Sequence, residues 1–264
     1  MEYTQLANLR VSRFILGSNP FSGFSHQGKE RDNEMVSYYS SSKIKEVWRQ
    51  AENLGITTCI ARTDHHIMRL FTEYWNEGGK LQWIAQVDNS IKGSLEEGLK
   101  YALETGAKGC FIHGGIMDFY FAGKQLEKIL PVIEKTREAG LPAGVAGHNP
   151  AVFEWAEENL CADFYMCSYH NPLERRNSPS YVPGVSEKYH DDDRDAMVRT
   201  IGSLKKPAIH YKILAAGRKK PEEAFSFAAK HMRPFDALCA GVFTKGHPGM
   251  LEEDVKLFLK YARH

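Results

Sequence analysis

Three histidines, an aspartate and a lysine carry the chemistry this sequence could do. His113 ends the run KGCFIHG, His148 ends PAGVAGH, and His170 ends DFYMCSYH. Asp64 ends TTCIARTD, and Lys212 lies in AIHYKILAA. Neutral imidazoles on neighbouring strands ligate divalent metals such as Zn or Mn, with a carboxylate such as Asp64 as an oxygen ligand. Without a metal, the same groups act as acids and bases near neutral pH. No HxH or HExxH spacing occurs, so a metal set of His113, His148 and His170 depends on the fold bringing the three together. A lysine among apolar neighbours can form a Schiff base, remove a proton or stabilise an enolate as an ammonium.

Further polar residues fall at the ends of similar runs, often two apart, which on a strand means one shared face. Arg62 pairs in this way with Asp64, Gln86 with Asp88, Ser168 with His170, and His210 with Lys212, while Asn19 ends FILGSN. So many polar groups on one rim would each cost about 1–3 kcal/mol if buried without a partner, which favours use over packing. Catalytic roles are assigned to Lys212, His113 and Asp64. Substrate contacts are assigned to Asn19, Arg62, Gln86, Asp88, His148, His170 and Arg218. Arg218 lies in AAGRKKPEEA, a basic turn before a helix that opens at Pro221, and helix N-termini attract anions. A second such turn, TKGHPGMLEED, follows the last strand. The acidic run Asp191–Asp193 suits the start of a helix better than a metal. The aromatic triplet at 119–121 is a candidate pocket wall.

The elements that must position these residues alternate along the whole chain. Eight β-rich runs are predicted at 14–19, 57–64, 81–88, 108–114, 142–148, 163–170, 208–216 and 237–243. Helical patterns follow at 43–54, 66–75, 95–105, 124–139, 153–160, 194–204, 221–231 and 251–262, the fourth bent by Pro131. Glycines 55, 78, 106 and 140 close several of them. Eight strand–helix units in 264 residues predict a single (β/α)8 TIM barrel spanning 1–264. Two long stretches, 20–42 and 171–193, then follow strand C-termini, the face that carries chemistry in this architecture. They hold Phe21, Phe24, His26 and Lys29, and Arg175, Arg176, Tyr181 and Tyr189.

Composition excludes several classes. Hydrophobic residues make up 42% and charged residues 25%, as in ordinary globular domains. Lys and Arg total 34 against 33 Asp and Glu, so charge gives no reason to expect nucleic acid or an acidic membrane as partner. The expected partner is a small-molecule substrate. The start of the chain shows no signal-peptide pattern and no run approaches a membrane span, so a cytoplasmic protein is expected. The five cysteines form no CxxC pair, and four sit in apolar runs, which reads as buried small side chains.

Several segments together resemble the aldo-keto reductases. Tyr3-Thr-Gln-Leu6 and Val11-Ser12-Arg13-Phe-Ile-Leu16-Gly17 are similar to that family's N-terminal hairpin and first strand. Gly55-Ile56 resembles its entry to strand two, and Phe111-Ile112-His113 its strand-four histidine. Gly144 to Asn149 is similar to its strand five, and Gly241 with Leu251-Glu252-Glu253 to its last strand and helix. The resemblance implies a barrel whose bottom is plugged by the hairpin, and NAD(P) as cofactor. Of the family's Asp, Tyr, Lys and His set, only His113 has a match. The other three positions fall near Ile60, His65 and Gln86, in segments with no Tyr and no Lys. The resemblance thus implies the reductase scaffold with altered chemistry.

The first expectation is therefore a lyase, isomerase or epimerase acting on a polar oxo or hydroxy compound such as a sugar derivative. It would work by acid–base chemistry, with a divalent metal (Zn or Mn) as a possible aid. The alternative is an NAD(P)-dependent oxidoreductase in which His65 or His113 replaces tyrosine as the acid, with Arg218 and Lys245 near the cofactor phosphates. A second alternative is a non-catalytic barrel that binds a small ligand.

Overall fold

The computed structural model describes residues 1–171 and 188–262. Arg175, Arg176 and Tyr181 lie outside the described residues. The chain opens with strands β1 (Tyr3–Leu6) and β2 (Leu9–Ser12), paired antiparallel. Eight parallel strands then close a barrel: β3 (Phe14–Gly17), β4 (Thr58–Arg62), β5 (Gln82–Val87), β6 (Gly109–Ile112), β7 (Ala143–Gly147), β8 (Phe164–Ser168), β9 (Ala208–Tyr211) and β10 (Ala237–Gly241). Each pairs with the next in sequence, and β10 pairs back onto β3, so every edge is satisfied. The predicted single-domain (β/α)8 barrel is what the chain forms.

Period-two alternation sorts each strand's side chains into two cores. Ile15, Ile60, Ile84, Phe111, Phe164, Met166 and Ile209 fill the barrel interior, with Leu6 and Val11 of the hairpin packed into the same cluster. Side chains of the opposite parity meet the helices. There Trp48, Phe71 and Trp83 stack in series, with centroids 4.3 and 5.3 Å apart. Full burial of such side chains contributes roughly 1.5–3 kcal/mol each. Cys59, Cys110, Cys167 and Cys239 are buried and Cys161 is exposed, as the apolar runs around the first four imply.

The helices are α1 (Lys29–Tyr38), α2 (Ser41–Asn53), α3 (His65–Asn76), α4 (Leu95–Thr105), α5 (Gly114–Ala122), α6 (Leu130–Glu138), α7 (Pro150–Asn159), α8 (Asp191–Ser203), α9 (Pro221–His231) and α10 (Met250–Tyr261). Gly106 ends α4 with φ +106°, a conformation costly for any residue bearing a Cβ.

Two expectations need correction. Residues 20–42 are not a structureless loop: a 3-10 turn at Asn19–Ser22 leads to α1. The weak apolar periodicity of α1 hid it, and Asp32 anchors it by accepting bonds from Ser25 N (2.8 Å) and Ser25 Oγ (2.5 Å). The predicted helix 124–139 is instead a 3-10 turn, Leu126–Ile129, followed by α6. Pro131 starts α6 rather than bending a longer helix, because its missing N–H is harmless in a first turn. Among the described residues no helix is long and apolar enough to cross a membrane.

Candidate active site

The C-terminal ends of the barrel strands enclose a cavity of about 590 Å³. Its floor is the top of the interior core: Ile60, Phe111, Ala146, Met166 and Cys239. Burial pushes the Cys239 thiol up to about 12, so it is an inert wall rather than a nucleophile. Asn19, Arg62, Gln86, Asp88, His113, His148, Tyr211 and Lys212 line the walls. An arm continues past Gly217 and Pro221 to Met250, Asp254 and Leu257 on α10.

A polar relay on the cavity wall joins three elements. Asp118 on α5 is buried, and its Oδ2 lies 2.6 Å from Nδ1 of His148, the residue that follows β7. The same carboxylate accepts backbone N–H bonds from His148 (3.1 Å) and Asn149 (3.2 Å). With Nδ1–H donating to the carboxylate, His148 Nε2 is left as an acceptor. It faces the hydroxyl of Tyr211, the last residue of β9, at 3.5 Å, the outer limit of a hydrogen bond. Gly114 makes this convergence possible. A Cβ there would lie 3.1 Å from both the Tyr211 hydroxyl oxygen and His148 Cε1, and 3.2 Å from Gly147 N. Such an arrangement can pass a proton between substrate and phenol while the carboxylate stabilises an imidazolium.

His113 follows β6, its N–H bonded to Val87 O at 3.0 Å, and stands as the N-cap of α5 on the same wall. Lys212 stands beside Tyr211. Strand alternation would send it outward with His210, but its φ of +58° turns the chain so that consecutive residues both line the cavity. The expected shared face of His210 and Lys212 therefore does not form. His210 is fully buried behind the barrel, 2.9 Å from the Tyr169 hydroxyl and 3.3 Å from Asp236 Oδ2. Asp236 is raised by burial, but hydrogen bonds from His210 and Arg233 outweigh this and bring it down to about 2.

Other expected site residues are placed elsewhere or otherwise engaged. Asp64 caps α3, accepting from Ile67 N at 2.9 Å, and is not among the cavity residues; an Asp before a helix is a cap signal. Its remaining contact is an ion pair with Arg62 at 3.3 Å. Arg62 also pairs with Asp88 at 3.1 Å and lies over the Phe24 ring. Asp88 in turn accepts from Ser90 N at 2.8 Å. Arg62, Gln86 and Asp88 thus form a polar wall opposite the relay. His170 is fully buried outside the cavity, with Nδ1 3.0 Å from His190 O, and burial lowers its pKa. His170 therefore does not meet His113 and His148. Among the described residues no group of three His, Cys, Asp or Glu side chains is placed to hold a metal ion.

Arg218 braces loops rather than facing the cavity. It donates to His26 O at 2.9 Å and stacks 4.3 Å over Tyr189, a cavity residue. Asp191, Asp192 and Asp193 occupy the first turn of α8, and Lys219 pairs with Asp191 at 2.7 Å. Phe119, Tyr120 and Phe121 ride on α5 and do not line this cavity. At the end of the arm the buried Asp254 is pushed up to about 7, first by burial and then by the Glu253 charge.

Asp118 and Tyr211 are the residues that sequence reasoning missed. Asp118 is the one carboxylate in the apolar segment GGIMDFYFA, and a lone charge there needs a buried partner. Tyr211 shares parity with Ile209, an interior residue, so alternation alone pointed it inward.

Solved structures share this architecture end to end. The fold is that of the aldo-keto reductases. A Pseudomonas aeruginosa protein assigned to them matches with a TM-score of 0.67 at 14% identity, over 99% of this chain and 96% of that one. An aldo-keto reductase from Bacillus halodurans matches at 0.59 and 12%, over 100% and 97%. The 3-deoxy-D-arabino-heptulosonate 7-phosphate synthase of Thermotoga maritima, in a truncated form, also matches at 0.59 and 11%, over 99% and 92%. No known family pattern matches the sequence, and no curated protein matches it. Identities this low carry the barrel and not the reaction.

Proposed function

We propose that this protein is an enzyme that moves a proton at a carbon next to a carbonyl or hydroxyl group of a small polar compound. An isomerase, epimerase or lyase acting on a sugar-like substrate is the reaction class. The observation that carries this reading is the Asp118–His148–Tyr211 relay opening into a cavity of about 590 Å³. Cavities of roughly 300–1,000 Å³ suit small ligands. Tyr211 gives a proton to, or takes one from, the substrate oxygen, and His148 accepts or returns it, held in one tautomer by Asp118. His113 holds the same oxygen from the adjacent wall, and Gln86, Arg62 and Asp88 take the substrate's hydroxyl groups. Lys212 supplies a cation beside the developing enolate. A Zn or Mn ion has no assembled donor set among the described residues, so the steps above use none.

A second reading is an NAD(P)-dependent oxidoreductase. Its support is the reductase fold together with the cavity arm that runs between the loops after β9 and β10. The residues fit a dinucleotide phosphate poorly. Arg218 is bonded to His26 O, Lys219 to Asp191 and Lys245 to Glu34, while Glu253 adds negative charge to the arm.

The test is proton exchange. Purified protein is incubated in deuterated water with a panel of aldoses, ketoses, 2-oxo acids and hydroxy acids, and label at carbon is read by NMR. Exchange that disappears in Tyr211→Phe and falls steeply in His148→Gln is expected. Exchange that survives both substitutions overturns the relay's role. Enhanced NADPH fluorescence with coupled carbonyl reduction, and no exchange, moves the assignment to the second reading.

A further inference from the structure

Lys212 has a backbone conformation that its side chain makes costly. Its φ of +58° is in the left-handed region, where a residue with a Cβ is strained and glycine is not. The loop that follows holds three more left-handed residues, Ala215 at φ +48°, Ala216 at +54° and Gly217 at +82°. At 212 the conformation has a clear spatial result. It breaks the inward–outward alternation of β9, which would place residue 212 beside the buried His210, and instead brings Lys212 into the cavity next to Tyr211. Strain held at a cavity wall is a mark of use.

We propose that the Lys212 amine is a nucleophile that joins covalently to the carbonyl carbon of the substrate. This rests on the proton-transfer reading above and replaces its electrostatic role for the lysine with a chemical one. The surroundings suit the step. Lys212 and Tyr211 line the same cavity as consecutive residues, so an amine and an acid–base hydroxyl are presented to one substrate carbonyl. The neutral amine donates its electron pair to the carbonyl carbon, and the carbonyl π pair moves to oxygen. A proton shifts from nitrogen to that oxygen, giving a carbinolamine. The Tyr211 hydroxyl then protonates the carbinolamine oxygen. The C–O bond breaks, water leaves, and the nitrogen lone pair closes an iminium. The Tyr211 phenolate is left as the base for the next step, taking the proton of the neighbouring C–H, or of the β-hydroxyl when a C–C bond breaks. The iminium accepts the electron pair released when the neighbouring C–H or C–C bond breaks, which is the step an isomerase or lyase needs. The substrate is thus an aldehyde or ketone, or a sugar in its open-chain form.

Borohydride trapping tests this directly. Wild-type protein is mixed separately with pyruvate, dihydroxyacetone and an open-chain aldose, reduced with borohydride, and examined by intact mass and peptide mapping. The expected result is one reduced adduct per chain on the peptide carrying Lys212 with at least one probe. It should be absent in Lys212→Met and unaffected in Lys245→Met. Tyr211→Phe should slow adduct formation by roughly 10²-fold, the scale of general acid catalysis. Lys212→Gly should abolish trapping while leaving Tm unchanged or higher, since glycine relieves the strained φ; a purely structural lysine would lower it. Deuterium exchange without any Lys212 adduct overturns the lysine inference and leaves the relay standing. An adduct without exchange supports the lysine and overturns the relay. Adducts spread over surface lysines, or neither signal, overturn the inference.

Discussion

Asp118 Oδ2 and His148 Nδ1 lie 2.6 Å apart, both nearly inaccessible to solvent, on a helix and a strand end that are 30 residues apart in sequence. The pair fixes which imidazole nitrogen faces the cavity. With Nδ1 committed to the carboxylate, only Nε2 remains to exchange a proton with Tyr211.

Asp118→Asn should therefore remove turnover without unfolding the barrel. The amide can still accept the N–H bonds of His148 and Asn149, but it cannot stabilise an imidazolium. We expect kcat to fall roughly 10²–10⁴-fold, the usual contribution of a positioned acid–base group, with KM little changed. Steady-state kinetics and a thermal melt on the same preparation check it.

Gly114→Ala tests the close approach of α5 to the relay. The new Cβ would meet the Tyr211 hydroxyl and His148 Cε1 at 3.1 Å and the backbone nitrogen of Gly147 at 3.2 Å. Side chains and backbone must shift by a few tenths of an ångström, which costs about 1–3 kcal/mol. Activity should drop more than stability does, because the displaced atoms are those the proposed relay uses.

Stability should depend on Asp254 with a definite sign. Its folded pKa of about 7 lies above the ordinary 3.8, so the folded state keeps a proton that the unfolded chain releases. Its contribution is fully present below about pH 4 and is lost as pH rises through 7. Asp254→Asn should match the wild type in acid and exceed it by a few kcal/mol above pH 7. Denaturant melts of both proteins at pH 4, 6 and 8 give the comparison.

Asp236 should act in the opposite direction. Its folded pKa of about 2 lies below 3.8, so its stabilisation is present above about pH 4 and is lost as pH falls through 2. In Asp236→Asn the acid limb of the stability profile between pH 4 and 2 should flatten. Because the replacement leaves His210 and Arg233 without their charged partner, the variant should also be about 3–5 kcal/mol less stable at neutral pH.

Arg218→Ala should loosen the cavity mouth. Arg218 ties His26 on the loop after β3 to Tyr189, beside the start of α8. Losing both contacts should raise KM several-fold with kcat nearly unchanged, and speed amide exchange around residues 24–28. An unchanged KM together with unchanged exchange would remove the bracing role.

The sequence by itself determined the barrel. Eight β-rich runs, each followed by an amphipathic helix, leave few other ways to bury one face of every element, and alternation within the runs already divided interior from exterior side chains. It also determined the rim on which Asn19, Arg62, Gln86, Asp88, His113 and His148 gather, since polar residues at strand C-termini must open onto one mouth. What the runs could not determine is how backbone and packing dispose of each polar group just past a strand. Asp64 was taken by the first turn of a helix, and His170 by a carbonyl twenty residues later. Arg218 went to a loop 192 residues earlier. Lys212 entered the cavity through a positive φ that no periodicity encodes. The partner of His148 came from α5, whose nearly uniform apolar sequence gives no amphipathic signal. Each of these outcomes depends on groups distant in the chain competing for the same hydrogen bonds, and only the closed barrel brings them within reach of one another.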